Sequence, residues 1–348
     1  MQAKDPKPAR TSPPNPATPG KATLADVARV AGVSTITASR ALGNPTIVAE
    51  RTRLKVQQAV SQTGYVPNLL AGGLKSSRSR VIACLVPTIS SGSSFMLAVQ
   101  SLTETLAAAG YQVMLGQRGY EQDTENALID AVVSRRVDGI VLMGAIRSAP
   151  MRRRLQAIGI PVVEAWDKTR TPVDMLVGFS HEAAGAAMAN YVHRKGYRQA
   201  AMIVASEPRS ALRARGFAKA AARHGHTGIP AAQIDAPTRL RHGRAGTAEL
   251  LALHPMLDVI FCASDLVALG AITELKQRGL RVPEDVAVLG FGDLDFAVDI
   301  DPALTTVQID SVEIGRRSAD MLMEKLAGKP VAEPVVDLGF SIIERDSG

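Results

Sequence analysis

Residues 23–42 read TLADVARVAGVSTITASRAL, and this stretch decides how the chain begins. Thr23, followed three positions later by Asp26, is a capping box: hydroxyl and carboxylate can each take up a backbone N–H left over by a first helical turn. Leu24, Val27, Ala28 and Ala31 recur at helical spacing and give that helix one small apolar face. Gly32 predicts its end, because glycine enters the left-handed cap conformation without a steric penalty. Val33 is a plug between helices, and Ser34 caps a second helix predicted from Thr35 to Leu42. Two short helices joined by a tight glycine turn let one helix cross a DNA backbone while the other enters the major groove. Short helix–glycine–helix stretches also occur in ordinary bundles, so the flanking sequence has to decide.

Downstream, residues 48–68, VAERTRLKVQQAVSQTGYVPN, predict a third helix that stops at Gly64, with Pro67 blocking its continuation. Upstream, residues 1–20 are rich in Pro, Ala and Thr. Such a segment cannot bury a core and is expected to be a disordered tail; it has no apolar stretch of the secretory-signal kind.

Charge separates these parts. Residues 21–80 hold nine Lys/Arg against two Asp/Glu, a balance of +7, whereas residues 81–348 hold 28 basic and 30 acidic side chains. The basic excess coincides with the helix-turn-helix, the footprint of phosphate neutralisation. The 348 residues are too many for one ordinary domain. No apolar run reaches the roughly 18 residues that a membrane-spanning helix needs. The two cysteines, Cys84 and Cys262, lie in the apolar runs VIACLV and VIFCAS and are expected to be buried reduced thiols in a cytoplasmic protein.

From Val81 apolar strand-like runs alternate with helical stretches, among them VIACLVP, YQVMLG, GIVLMG, PVVEAW, MLVGF, AAMIVA, DVIFCAS and VAVLGF. Fully apolar strands alternating with helices predict parallel doubly wound sheets covered on both faces. The length suffices for two such lobes, and ligands bind such sheets beyond the carboxyl ends of the strands. The fold class expected is therefore a small all-α helix-turn-helix headpiece followed by a two-lobed α/β effector domain. No phosphate-binding loop, dinucleotide fingerprint, nucleophile elbow or H-E-x-x-H occurs, so neither an enzyme nor a cofactor is expected. His224 and His226 flank Gly225 in a predicted loop, where isolated histidines are ordinarily surface residues, and no metal site is expected.

The chain resembles the lactose/galactose repressor family of bacterial transcription regulators. The matching residues are T-L-A-D-V-A-x-x-A-G-V-S-x-x-T-x-S-R-x-L, T-R-x-x-V and G-Y-x-P-N in the first part. In the second they are D-G-I-V at 138–141, G-I-P-V-V at 159–163, R-x-x-G-F at 213–217, S-D-L-V-A-L-G-A at 264–271, V-P-E-D-V-A-V-L-G-F at 282–291 and P-A-L-T-T-V at 302–307. The resemblance implies a periplasmic-binding-protein-like effector module and a homodimer on a palindromic operator. It sets the headpiece at 21–67, a hinge at 68–80 and the effector and dimerisation domain at 81–348. Lobe one is expected over about 81–177 and 309–334, and lobe two over about 178–305 and 335–346.

The resemblance assigns DNA reading to Thr35, Ile36 and Arg40, with Thr37 and Ser39 on phosphates. Arg40 can bond guanine O6 and N7; Ile36 can meet a thymine methyl, or else pack between helices. Leu74 matches the hinge leucine that wedges into the minor groove. Gly72 and Gly73 depart from the family, and each costs a hinge helix about 1 kcal/mol relative to alanine. Ala49 stands where relatives often carry a Ser or Thr cap.

For the effector, the family motifs point to Ser90, Phe95, Arg213, Asp265 and Asp293, with Phe95 or Trp166 as an apolar platform. A sugar acid also needs a cation for its carboxylate, and Arg118 and Arg213 are the candidates, each equally able to serve as a structural ion-pair partner. The segments at 110–120, 159–167 and 177–179 look most like the gluconate-type repressors, which implies gluconate or a ketogluconate. The reading is a repressor of sugar-acid catabolism released from its operator by effector. The competing reading is a cytoplasmic sugar-binding protein or sugar-processing enzyme without a DNA role. The basic headpiece and the missing catalytic constellation oppose it.

Overall fold

The computed structural model describes residues 22–66, 78–89, 94–119, 122–146 and 148–348, in two compact units that divide between Ser79 and Arg80. The expected tail, the hinge glycines Gly72 and Gly73, Leu74 and Ser90 lie outside the described residues.

Among its described residues the first unit contains three α-helices, α1 (Leu24–Ala31), α2 (Thr35–Gly43) and α3 (Glu50–Thr63). Both halves of the capping box form at Thr23 and Asp26, Gly32 closes α1 at φ 65°, and Ser34 caps α2 through the Thr37 amide. Ala49 makes no side-chain cap bond at the start of α3. Val27, Ala31, Ala41, Val56 and Ala59 form the core, with Val33 and Leu42 packed at its edge. Small residues dominate because α1 packs against both other helices.

The second unit follows the alternation read from sequence. In chain order it runs β1 (Val81–Val86), α4 (Phe95–Ala108), β2 (Gln112–Gln117), α5 (Gln122–Ser134), β3 (Gly139–Met143), α6 (Ala149–Ile158), β4 (Val162–Asp167) and β5 (Met175–Phe179). It continues through α7 (His181–Lys195), β6 (Ala200–Ala205), α8 (Pro208–Arg223), β7 (Ala231–Ile234), α9 (Leu240–Leu253), β8 (Val259–Cys262), α10 (Asp265–Gln277) and β9 (Ala287–Phe291). Last come β10 (Thr305–Gln308), α11 (Ser311–Leu326), β11 (Val335–Asp337) and β12 (Ser341–Ile343).

Two six-stranded sheets result, ordered β11-β5-β4-β3-β1-β2 and β12-β10-β9-β8-β6-β7. All pairings are parallel except β10 with β12, an antiparallel edge. Each sheet reverses direction of growth at its first strand, so each lobe opens a crevice beyond its strand ends. Cys84 and Cys262 are buried free thiols in β1 and β8, and burial pushes the Cys84 thiol up to about 12.

The lobe boundaries differ from expectation at two places. β5 runs through Phe179 in the first sheet, so that crossing follows Phe179 instead of Val177. Val335–Asp337, expected in lobe two, pairs with β5 in lobe one, anchored by the Leu176 amide on the Pro334 carbonyl (2.7 Å) and the Leu338 amide on the Gly178 carbonyl (2.9 Å). The chain therefore makes its last crossing at Leu338–Phe340. A three-residue edge strand has too little sequence to announce which of two sheets it completes.

Helix spacing is set by glycine. A Cβ on Gly216 of α8 would lie 2.0 Å from the Glu182 carbonyl oxygen of α7, and one on Gly185 of α7 would lie 2.0 Å from the Arg213 carbonyl oxygen of α8. These reciprocal contacts fix α8, which carries two arginines of the cleft described below. Replacing Gly216 with alanine forces the backbones apart and should cost about 1–3 kcal/mol, the usual range for overpacking. Urea unfolding followed through the single tryptophan, Trp166, measures this; an unchanged midpoint and slope would mean that the crossing tolerates a methyl group.

Candidate functional site

In the headpiece α2 has two faces. Ala38 and Ala41 are buried, while Thr35, Ile36, Ser39 and Arg40 are exposed, Ile36 by 63%. Ile36 is thus not part of the headpiece core. Thr37 is half-buried, its hydroxyl 2.9 Å from Ser34 Oγ. Positions 35, 36, 39 and 40 follow helical spacing and share the outer face, one isoleucine and one arginine among small hydroxyls.

In the second unit the strand ends of both lobes surround a cavity of about 80 Å³. That is several times the roughly 10–15 Å³ that one water requires. Lobe one contributes Phe95 and Trp166, and lobe two contributes Glu207, Arg209, Arg213 and Phe291. An aromatic ladder links the lobes: Phe95 to Trp166 at 6.0 Å, Trp166 to Phe179 at 5.6 Å, both edge-on, and Phe179 to Phe291 at 6.2 Å. Trp166 adopts φ 78°, a left-handed conformation worth about 1–3 kcal/mol of strain for such a residue. Its partner Gly178 accommodates this, since a Cβ there would lie 2.8 Å from the Asp167 carbonyl oxygen.

Charged groups gather around Asp167 at the end of β4. Arg209 Nε donates to Asp167 Oδ1 (2.6 Å), and Arg209 Nη2 donates to the Met143 carbonyl (2.6 Å). Arg118 Nη2 donates to the same carbonyl at 3.2 Å. His181 lies between the lobes, Nε2 3.2 Å from Asp167 Oδ1 and Nδ1 3.1 Å from Arg213 Nη1. A carboxylate accepts and a guanidinium donates, so the neutral Nε2–H tautomer satisfies both partners. Burial pushes His181 down from an ordinary 6.5 to about 4, aided by the charges of Arg213 and Arg209 and opposed by Asp167. Burial alone would raise the Asp167 carboxyl, but Arg209 and His181 hold it well below the usual range. Arg213 also donates to the Ala263 carbonyl (2.9 Å), reaches Glu207 at 3.5 Å, and lies 4.0 Å above the Phe291 ring.

Of the residues picked from sequence, Phe95, Trp166 and Arg213 line the cavity, and Arg118 stands beside it on the Met143 carbonyl. Asp265 and Asp293 are turned elsewhere. Asp265 is fully buried, accepting from Thr306 Oγ1 (2.5 Å) and the Leu294 amide (2.7 Å), and burial pushes it up to about 6. It ties α10 to β10 and to the loop after β9. Asp293 pairs with Arg345 at 2.8 Å and Gln308 at 2.7 Å. Sequence reasoning passed over Glu207 and Arg209, which line the cavity, and Asp167, which holds Arg209. Each follows the strand-end rule: Asp167 closes β4, Glu207 caps α8 just beyond β6, and Arg209 precedes Arg213 by four on one helix face.

The buried neutral imidazole makes stability pH-dependent. Above pH 6.5 His181 is neutral whether the chain is folded or not; below it the unfolded chain gains a proton that the folded chain refuses until about pH 4. Glutamine can make the same two hydrogen bonds without titrating. The stability of the native protein relative to His181→Gln should therefore fall as pH drops from 6.5 to 4, by roughly 3 kcal/mol at 1.36 kcal/mol per pKa unit. Urea unfolding of both proteins across this window measures it, and parallel curves would show that the imidazole is not held neutral.

Comparisons with known proteins agree with this architecture. The family described as bacterial regulatory proteins, lacI family, matches residues 23–68, and the periplasmic binding protein-like domain matches residues 189–348. The chain is 36% identical to an HTH-type transcriptional regulator, GntR, of Pseudomonas aeruginosa, covering 96% of this chain and 97% of that protein. It is 31% identical to the HTH-type transcriptional repressor CytR of Escherichia coli, with 89% and 91% covered. A crystal structure of a lacI-family regulator from Silicibacter pomeroyi superimposes with TM-score 0.86 at 30% identity, over 94% of this chain and 99% of that one. The helix-turn-helix headpiece, the two-lobed effector domain and these full-length similarities together make the chain a member of the lacI family of bacterial regulatory proteins, a DNA-binding transcriptional regulator and not an enzyme.

Proposed function

We propose that this regulator is a repressor that a small monoanionic sugar acid, gluconate or a ketogluconate, releases from a palindromic operator. The observation that carries the effector reading is the guanidinium that Arg209 presents to the cleft. Among the described residues, Arg209 lines the cavity with its Nη1 making no hydrogen bond, beside a neutral His181, and so offers a donor to an entering anion. A ligand carboxylate can accept charge-assisted hydrogen bonds from that guanidinium. The ligand's hydroxyls would find acceptors in the carboxylates of Asp167 and Glu207, and its carbon chain an apolar platform on Phe95 and Trp166. The GntR name of the Pseudomonas aeruginosa relative supports the same ligand class.

For the DNA half, a homodimer would present two copies of α2 to two half-sites. Thr35, Ile36 and Arg40 would meet base edges, Thr37 and Ser39 would meet phosphates, and Leu74 would act as the minor-groove wedge. A Lac repressor dimer bound to operator has the same fold, with TM-score 0.81, and is compatible with that arrangement. Acting on bacterial DNA, the protein works in the cytoplasm.

A ligand that binds only the folded chain raises the unfolding midpoint by mass action. Thermal unfolding of the full chain should shift upward with gluconate or 2-ketogluconate and stay in place with sorbitol, the uncharged analogue. A shift with sorbitol equal to that with gluconate would refute the carboxylate reading. A shift with glucose 6-phosphate alone would replace the sugar acid with a phosphosugar.

A further inference from the structure

We propose that Arg209 is the charge-selecting residue of the cleft, and that Asp167 and the effector's carboxylate compete for it. The proposal rests on the anionic-effector reading above and names the group on which that reading turns. Of the two cleft arginines on α8, Arg213 is committed within its own lobe and to His181. Its Nη1 meets His181, its Nη2 meets the Ala263 carbonyl and Glu207, and its flat face covers Phe291. Moving it toward a ligand would strip several buried partners at once.

Arg209 differs in three respects. It lines the cavity, and its Nη1 carries no hydrogen bond among the described residues. Its partners, Asp167 and the Met143 carbonyl, belong to the opposite lobe, so the bond that satisfies its charge also joins the lobes. It stands beside a second guanidinium, since Arg118 shares the Met143 carbonyl with it. A Cβ added at Gly144 would lie within 3.4 Å of Arg118 Nη2, Arg209 Nη2 and Asp167 Oδ2 together, so these groups crowd one point. Arg209 lines the cavity and is held by a carboxylate of the other lobe, so it forms an anion site in which Asp167 supplies the internal anion. A ligand carboxylate that reaches Arg209 meets the same donors and must draw them from Asp167.

Competition and simple support make opposite statements about Asp167. If Asp167 only positions Arg209, its loss weakens ligand binding. If it competes, its loss strengthens binding, and the gain vanishes once Arg209 is gone. The test is gluconate titration of the full chain, read by Trp166 fluorescence, for the native protein, Asp167→Asn, Arg209→Gln and the double variant. Asp167→Asn should bind gluconate about tenfold more tightly, a coupling of ordinary size between linked sites. Arg209→Gln should lose at least about 30-fold, the low end for truncating a buried charge pair. The double variant should match Arg209→Gln, and Arg209→Lys should fall between native and Gln. All variants are first compared with the native chain by thermal unfolding, so that only folded ones are scored. Gluconate binding by Arg209→Gln within about threefold of native, or weaker binding by Asp167→Asn, would overturn the assignment while leaving the sugar-acid reading intact. A native chain that binds neither gluconate nor 2-ketogluconate would overturn both.

Discussion

The second unit depends on one carboxylate. Asp167 ends a strand of lobe one and is held by Arg209 and His181, both from lobe two. Taking an ion pair out of water is expensive, and it persists only where further hydrogen bonds satisfy the remaining polar atoms. Those bonds are present: the Ala145 amide on Asp167 Oδ2 at 3.2 Å, the Met143 carbonyl under Arg209, and Arg213 on the far side of His181. The positive φ of Trp166, the Cβ-free Gly178 and the close crossing of α7 with α8 all place members of this one network. Its members come from β3, β4, α7 and α8, so any relative movement of the lobes must break or remake it.

Such a network suits a regulator, because an effector moves an equilibrium only by its differential affinity for two states. A ligand that exchanges bonds with an inter-lobe ion pair has that differential affinity built into its binding. The neutral His181 sharpens it. A protonated imidazole would add a positive charge to the cleft and would lose the bond from Arg213, since an imidazolium has no acceptor nitrogen.

Much of this is legible in the sequence, and the reasons differ by element. The headpiece is readable to the residue at its caps, because Thr23, Asp26, Gly32 and Ser34 act on their own local backbone. The apolar strands β1, β3, β4, β6 and β9 are readable because burial on both faces leaves an uninterrupted apolar run. Helix α9 escapes the reading: its TRLRHGRAGTAEL start carries Gly243 and Gly246 where larger apolar residues would mark a face, and Gly243 is small because α10 lies against it. Sequence puts β11 in the wrong lobe, since pairing partners of a three-residue edge are a tertiary matter. In the site, sequence reading names Arg213 and Trp166, which line the cavity, and Asp265, whose carboxylate is bonded to the loop after β9. A motif records that a side chain is required at a position, and burial then decides whether it serves a ligand or the fold. Arg209 and Asp167 need the strand-end geometry of both lobes at once.

In the proposed function, the charge of the effector controls DNA release. The most direct measurement is fluorescence anisotropy of a labelled operator, selected by the protein itself from random-sequence duplexes, bound to the full chain. Gluconate and sorbitol are titrated in turn at fixed ionic strength, because phosphate contacts weaken with any added salt. Gluconate should lower the anisotropy to that of free DNA while sorbitol leaves it unchanged. Equal responses to the two compounds, or DNA retained throughout the gluconate titration, would contradict it.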